Sequence, residues 1–404
     1  VSGNSLFTNI GELWTPFERV TEAAIAVRDG TVSWVGSERE LPDEYRGWPA
    51  TDMGGRGVLP GLVDAHTHLV WAGDRLDEYR LRSKGAAYEE ILEAGGGIHN
   101  TVSATVAAGE EELLELALER ARVFLAGGVT TLEIKSGYGG EPEAELKMLR
   151  VIRSLQERVP QRLVPTLLAH VIPQGWERAE YLRVFTQELI PIVAREGLAT
   201  AVDVFCDVGA FTLPETERIF EAAVSHGLAV KAHAEQLSHT GATELVARFR
   251  GLSADHLEEA TPQDWQALAR AGSVGMILPG ATVLLRKRFP DARAMWDAGV
   301  KVAVATDHNP GSSPFYSLFL ALQLGIAMGG LSVEEALQAG TANAAAALGE
   351  PELGRLQAGS PADFLVTGQA GALHPLYTWG TTDLAAVYVA GRESWRAPGA
   401  RVAR

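Results

Sequence analysis

Leu62-Val63-Asp64-Ala65-His66-Thr67-His68 is the stretch on which the fold of this 404-residue chain turns. It is a short apolar run that follows Pro60-Gly61 and ends in two histidines spaced i and i+2. In a strand alternate side chains share a face, so both imidazoles are expected to point into one mouth. Seven further runs of this texture follow, at residues 130–135, 164–170, 202–206, 230–233, 252–256, 274–278 and 302–307. Helical patterns separate most of them, at 111–126, 141–156, 179–195, 214–226 and 240–249. In the first of these, Leu113, Leu116, Ala117, Val123 and Phe124 form a broad apolar stripe, with acids at the N-terminal end. Eight such alternations predict an α/β protein with a (β/α)8 TIM barrel over residues 58–353. Functional groups are expected at its C-terminal strand ends.

The two chain ends read differently. Residues 1–57 alternate apolar and polar in short runs, as in Ala24-Ile25-Ala26-Val27 and Thr31-Val32-Ser33-Trp34-Val35. Arg28-Asp29-Gly30 between them is a hairpin signal. Beyond Gly354 the texture returns in Asp363-Phe364-Leu365-Val366 and Leu384-Ala385-Ala386-Val387-Tyr388-Val389. Residues 1–57 and 354–404 are therefore expected to build a second, small β-sandwich domain together.

The histidines carry the chemical signal. His233 ends the fifth run and Asp307 the eighth. With His66 and His68 they offer three neutral imidazoles and one carboxylate, a donor set that suits Zn or Fe. Taken singly, a His-x-His in a strand is ordinary packing and a strand-end Asp is an ordinary cap. Their convergence on one end of one barrel is what points to a metal. His170 ends the third run and His256 the sixth. Each can orient a substrate, polarise it, or move a proton near neutral pH. His308 follows Asp307 but faces the other way by alternation. His99, His226, His239 and His374 fit loops or helix ends.

Composition limits the partners. The chain has 35 basic and 51 acidic residues, a formal charge of −16. That balance argues against nucleic acid or an anionic membrane, which both need clustered Lys and Arg. No window approaches the roughly 18 uninterrupted apolar residues of a membrane span. Residues 1–11 lack a basic region followed by an apolar run, so no secretory signal is expected there. Cys206 is the only cysteine, which rules out an intramolecular disulfide and makes a cytoplasmic setting the expectation.

Residues 59–68 resemble the opening signature of the metal-dependent amidohydrolases, and residues 354–363 resemble the return of their chains into the β domain. Within that superfamily several segments are similar to the imidazolonepropionase family. They are Trp71-Ala72-Gly73-Asp74-Arg75, Tyr88-Glu89-Glu90-Ile91, Gly95-Gly96-Gly97-Ile98, Glu133-Ile134-Lys135-Ser136-Gly137-Tyr138-Gly139, His233-Ala234-Glu235-Gln236 and Thr306-Asp307-His308-Asn309-Pro310-Gly311-Ser312-Ser313-Pro314. The resemblance runs through nearly the whole chain. It implies conversion of 4-imidazolone-5-propanoate and water to N-formimino-L-glutamate in histidine degradation. It implies one Zn2+ or Fe3+ per subunit on His66, His68, His233 and Asp307, and a homodimer. By the same resemblance Arg75, Tyr138 and His170 contact the substrate, and Asn309, Gly311 and Ser312 line its pocket. Gln236 falls where some members carry Glu and would face the ring.

That substrate is a cyclic amide with a carboxylate arm. A metal lowers the pKa of water, and Asp307 can accept its proton. His256 can bond the carbonyl oxygen as it becomes an oxyanion, and Asp307 or His256 can return a proton to the leaving nitrogen. Arg75 can grip the carboxylate through two parallel hydrogen bonds, and Tyr138 and Tyr88 can add hydroxyl donors. Two departures from related families narrow the reading. The fourth run lacks the Lys that hydantoinases and dihydroorotases carboxylate to bridge two metals, so one metal is expected. Lys135 ends the second run instead and is expected to pair with Glu133 or a loop acid. Related deaminases place a Glu three residues after the fifth-strand His, whereas Gln236 cannot titrate and alternation turns Glu235 away. The alternative is a related mononuclear amidohydrolase or deaminase acting on another cyclic amide or nucleobase. A non-catalytic protein on this fold would typically lose metal ligands, and every expected ligand is present.

Overall fold

A computed structural model describes residues 3–85 and 97–400. The chain opens with strands β1 (Asn4–Trp14), β2 (Arg19–Arg28), β3 (Thr31–Ser37), β4 (Ala50–Asp52) and β5 (Gly57–Pro60). Asp29 and Gly30 both take positive φ, 49° and 82°. This is the paired left-handed turn that matches the twist of a hairpin, and it joins β2 to β3 as the sequence predicts.

Eight strands then pair in parallel in chain order. They are β6 (Leu62–Asp64), β7 (Val129–Lys135), β8 (Arg162–Ala169), β9 (Ala201–Cys206), β10 (Ala229–Ala234), β11 (Ser253–His256), β12 (Val274–Ile277) and β13 (Lys301–Val304). Every residue of β7 is buried, because helices cover the outside of a parallel barrel and side chains fill its inside. The first and eighth strands are shorter than the sequence suggests. Their continuations close the barrel at its C-terminal end. Thr67 bridges to His308, Asp307 N donates to His66 O at 3.0 Å, and His68 N donates to His308 O at 2.8 Å. The cause is local. The Asp64 carboxylate accepts from Thr306 N at 3.1 Å and Thr306 Oγ1 at 2.6 Å, and Asp307 turns to φ 52°. The histidines and the acid therefore stand just past the regular strands, at the barrel mouth.

Helices at Glu110–Ala126, Pro142–Gln156 and Leu213–Ser225 fall within a residue of the predicted spans. The predicted 179–195 helix is interrupted. It runs Arg178–Val184, widens into a π turn at Phe185–Leu189, and resumes at Ile190–Glu196. Pro191 has no N–H to donate to the preceding turn, and the wider turn accommodates that loss.

The last strands, β14 (Phe364–Thr367), β15 (Leu384–Val389) and β16 (Arg392–Arg396), return to the first ones. The second sheet has the order β16-β15-β14-β5-β1-β2-β3, with β4 beside β1. Both chain ends thus supply it, with Leu365 paired to Leu59. Its core includes Phe7, Phe364 and Tyr388, the last two stacked at 4.5 Å between ring centroids. Gly61 links β5 to β6. A Cβ there would collide with the Thr130 side chain, so glycine is required where one sheet hands over to the other. Among the described residues no helix is long and apolar enough to cross a membrane.

Candidate active site

The barrel mouth gathers the histidines. Asp307 Oδ1 lies 3.5 Å from His66 Nε2 and 3.4 Å from His68 Nε2. His66 and His233 stand with ring centroids 4.5 Å apart. The ligand atoms of His66, His68 and Asp307 fall within 4.8 Å of one another, as do those of His66, His233 and His256. His66 Nε2 and His233 Nε2 are buried and have no hydrogen-bond partner among the described residues. Buried nitrogens with lone pairs and no donor are costly unless something electrophilic fills the space between them. Burial, with the like charges of Lys135 and His233 adding to it, holds the His66 imidazole well below its usual pKa. Burial and then His233 do the same for His68. Both rings are kept in the neutral form that binds metals. Burial also pushes the Asp307 carboxyl up to about 7, so a neighbouring cation would stabilise its ionised form.

A charged layer beneath the mouth holds these rings in place. His66 Nδ1 is 2.7 Å from Asp255 Oδ2, and His233 Nδ1 is 3.0 Å from Asp203 Oδ1. With Nδ1 engaged, Nε2 is the nitrogen left to face the mouth, the arrangement typical of carboxylate-oriented metal ligands. Lys135 Nζ donates to Asp203 Oδ2 at 2.6 Å and to Glu133 Oε1 at 2.7 Å. Lys231 Nζ donates to the same Glu133 oxygen at 2.9 Å and to Ala65 O at 3.1 Å. All five charged residues are essentially buried. Burial alone would discharge Lys135, but the carboxylates of Asp203 and Glu133 outweigh it and hold the ammonium above its ordinary pKa. Three carboxyl groups thus face two ammonium groups, and burial pushes the Asp255 carboxyl upward. The donor set and the orphaned nitrogens fit one bound cation.

Lys135 thus pairs with Glu133, as expected, and also with Asp203 two strands away on β9 rather than with a loop acid. Sequence reading did not reach the rest of this layer. Glu133-x-Lys135 and Lys231-x-His233 are polar i, i+2 pairs inside apolar strands, and that spacing is the signal that marks an inward polar face.

A cavity of about 840 Å³ opens over the mouth. His68, Arg75, Tyr138, His170, His233, Gln236, His256, Asp307, Asn309, Gly311 and Ser312 line it, so nearly all the candidate site residues meet in one place. His66 lies beneath, fully buried. Tyr88 lies outside the described residues. Arg75 is largely buried and pairs with Glu78. Its Nη1 reaches Thr101 Oγ1 at 3.4 Å, and its Nε has no partner among the described residues. Tyr138 sits in a loop gripped from below by a buried carboxylate. Glu145 accepts from Gly137 N and Gly139 N at 2.7 Å and from Gly140 N at 2.8 Å. Three amides converging on one carboxylate explain the glycine-rich Ser136-Gly137-Tyr138-Gly139-Gly140 loop, whose backbone must curl tightly. His170 Nδ1 lies 3.3 Å from Gly137 O, on the same loop.

Asn309 organises its own turn. Its Oδ1 accepts from the amides of Gly311 and Ser312 at 2.8 Å, and its Nδ2 donates to Asp307 O at 2.7 Å. Gln236 faces the cavity. Its neighbour Glu235 turns away, accepting from Thr240 N and from Thr243 N at 3.0 Å. His308 is buried outside the barrel, with its ring 4.1 Å from that of Tyr316 and 5.4 Å from that of Phe124.

A parallel barrel with histidines at its mouth and a sheet shared by both termini defines a class. The chain belongs to the amidohydrolase family, whose model matches residues 58–393. Within that family it sits among the imidazolonepropionases. The imidazolonepropionase of Deinococcus radiodurans is 46% identical over 401 residues, covering 96% of this chain and 99% of that one. The imidazolonepropionase of Cupriavidus pinatubonensis is 46% identical over 382 residues, covering 93% and 90%. Solved structures share the fold at low identity. An adenosine deaminase from Xanthomonas campestris with bound zinc matches with a TM-score of 0.74 at 20% identity, over 96% of this chain and 92% of that one. The ochratoxinase of A. niger matches with a TM-score of 0.73 at 17% identity, over 98% and 96%.

Proposed function

We propose that this chain is an imidazolonepropionase that opens the ring of 4-imidazolone-5-propanoate with water to give N-formimino-L-glutamate. The observation that carries the reading is the meeting of Arg75 with His68, His233 and Asp307 in one cavity, in a chain about as long as its relatives. A guanidinium can bind the propanoate arm while the ring carbonyl lies over the histidines. One Zn2+ or Fe3+ per subunit is proposed on His66, His68, His233 and Asp307; when bound it acidifies water and polarises the carbonyl. Three imidazoles and a carboxylate already make a four-donor set, which leaves His256 to face the substrate.

The chain's own groups then divide the work. Asp307 takes a proton from the attacking water as the hydroxyl adds to the ring carbonyl carbon. His256 donates to the carbonyl oxygen as negative charge builds on it. The carbon–nitrogen bond breaks, the carbonyl carbon becomes a carboxylate, and Asp307 or His256 hands a proton to the departing nitrogen. Tyr138, His170, Gly311 and Ser312 hold the substrate, with Asn309 fixing the last two. Tyr88 is proposed as a further donor. Gln236 offers its amide to the ring and carries no proton in the reaction, which is the feature that separates this site from a deaminase.

The barrel is proposed to span residues 58–353, with 1–57 and 354–404 as the composite β domain. A cytoplasmic homodimer with a small anionic substrate, and no nucleic acid or membrane partner, completes the reading. Product analysis tests it. Purified enzyme given 4-imidazolone-5-propanoate should form N-formimino-L-glutamate without ammonia. No turnover of this compound, together with ammonia release from a purine or pyrimidine, would replace it with the deaminase alternative.

A further inference from the structure

Behind His256 lies a carboxyl group that the mechanism above does not use. His256 is the last residue of β11, and the backbone there takes two consecutive positive φ angles, 85° at His256 and 71° at Leu257. Non-glycine residues rarely adopt this conformation, and two in succession mark a turn the surroundings must enforce. The turn folds Glu258 back toward its own neighbour. Glu258 Oε2 comes to 3.8 Å from His256 Nδ1. Both atoms are buried, and neither has a hydrogen-bond partner among the described residues. The other carboxyl oxygen, Oε1, accepts from Thr282 Oγ1 at 2.7 Å, which fixes the direction of the group. Two unpaired buried polar atoms at this separation are one small side-chain movement from a hydrogen bond.

The position of that proton has a chemical consequence. A neutral imidazole carries one N–H. His256 lines the cavity with Nδ1 turned to Glu258, so Nε2 is the nitrogen left for the substrate. It can donate to a carbonyl oxygen only if Nδ1 is the acceptor. We propose that Glu258 is a positioning residue for His256, donating from Oε2 to Nδ1 and so holding the imidazole as the tautomer with its proton on Nε2. The inference rests on the reading of His256 as the group that polarises the substrate. The surroundings favour a protonated carboxyl. Burial pushes Glu258 up to about 8, Asp307 adds to the rise, and Thr282 and Lys287 act against it without cancelling it. Burial, together with His233, holds the His256 ring well below its usual pKa and therefore neutral. The charged and titratable groups facing Glu258 are thus His256 on its own segment, Lys287 after the helix Pro279–Leu284, and Asp307 beyond β13.

The test reads the tautomer directly. In the metal-loaded enzyme labelled with 15N-histidine, the His256 signals are assigned by their loss in His256→Gln. The proton should lie on Nε2 in the parent and in Glu258→Gln, whose amide N–H can replace the carboxyl donor. It should leave Nε2 in Glu258→Leu. On 4-imidazolone-5-propanoate, Glu258→Leu should lower kcat on the order of a hundredfold, the scale of losing one oxyanion donor, with KM little changed. Glu258→Gln should recover most of that loss. If Glu258→Leu does not fold, Glu258→Asp takes its place, because its shorter arm cannot reach Nδ1 and must lose the Nε2 proton. A proton on Nδ1 in the parent, or a Leu or Asp variant that keeps both the Nε2 proton and full kcat, overturns the inference. An Nε2 proton that depends on Glu258 in an enzyme that does not turn over this substrate would instead overturn the proposed function and leave the tautomer assignment standing.

Discussion

His66 Nδ1 lies 2.7 Å from Asp255 Oδ2, and both side chains are fully buried. The contact fixes the ring so that Nε2 faces the cavity mouth. Replacing Asp255 with Asn keeps the shape and removes the charge. Asp255→Asn should weaken metal binding by roughly 10- to 100-fold, as for other carboxylates behind metal-ligating histidines. Competition against a chromophoric chelator reads this without any activity measurement, and an unchanged affinity would contradict it.

Lys135 links Glu133 on its own strand to Asp203 behind His233. Removing one partner of a buried ion pair leaves the other charges uncompensated. Lys135→Met, which preserves length and bulk, should destabilise the fold by about 3–5 kcal/mol. Urea unfolding of parent and variant measures the difference, and a loss much smaller than this would mean that the carboxylates are not ionised in the native state.

Arg75 is the cation proposed to hold the substrate's carboxylate, and it pairs with Glu78. Arg75→Ala should lower kcat/KM by about 2–3 kcal/mol, or on the order of a hundredfold, mostly through KM. Arg75→Lys should rescue only part, because an ammonium cannot reproduce the paired hydrogen bonds. Metal content should stay at the parent level. Equal kinetics in parent and Arg75→Ala would remove the clamp.

Far from the cavity, Glu215 closes the capping box of the helix Leu213–Ser225 and pairs with Arg178. The Arg178 hydrogen bond is the main cause that holds its pKa down to about 2, against an ordinary value of 4.5. A carboxylate with a depressed folded-state pKa stabilises the fold above its unfolded pKa and loses that contribution as pH falls through the folded value. Glu215→Gln should therefore cost on the order of 1 kcal/mol at pH 7, a figure set by the cap and a largely solvated pair. The gap between parent and variant should shrink steadily from about pH 4.5 down to about pH 2. A difference that is constant with pH would assign the loss to shape rather than charge.

The barrel was legible because its strands are short apolar runs separated by amphipathic helices, a pattern that survives without knowing any contact. The cluster His66, His68, His233 and Asp307 was legible for the same reason, since strand ends converge in a barrel whatever the sequence distance between them. Strand limits were less so. β6 and β13 stop early because Asp64 captures Thr306 and bends the chain, a contact between residues 242 apart. The charged layer of Glu133, Lys135, Asp203, Lys231 and Asp255 was mostly hidden because most of its contacts join strands far apart in sequence. Only Lys135 and Glu133, two residues apart on one face, announced a pair. Glu258 was invisible for a different reason. Two positive φ angles at His256 and Leu257 take the chain out of strand geometry, so the place of Glu258 beside His256 could not be read from strand alternation.

The central claim is a metal-dependent ring opening, and metal removal tests it most directly. The enzyme is stripped with a strong chelator, assayed on 4-imidazolone-5-propanoate, then reconstituted with Zn2+ or Fe3+ at one equivalent per subunit. The account predicts that stripping abolishes formation of N-formimino-L-glutamate and that one equivalent of at least one of these ions restores it. Full turnover by enzyme that elemental analysis shows to be free of metal would contradict it.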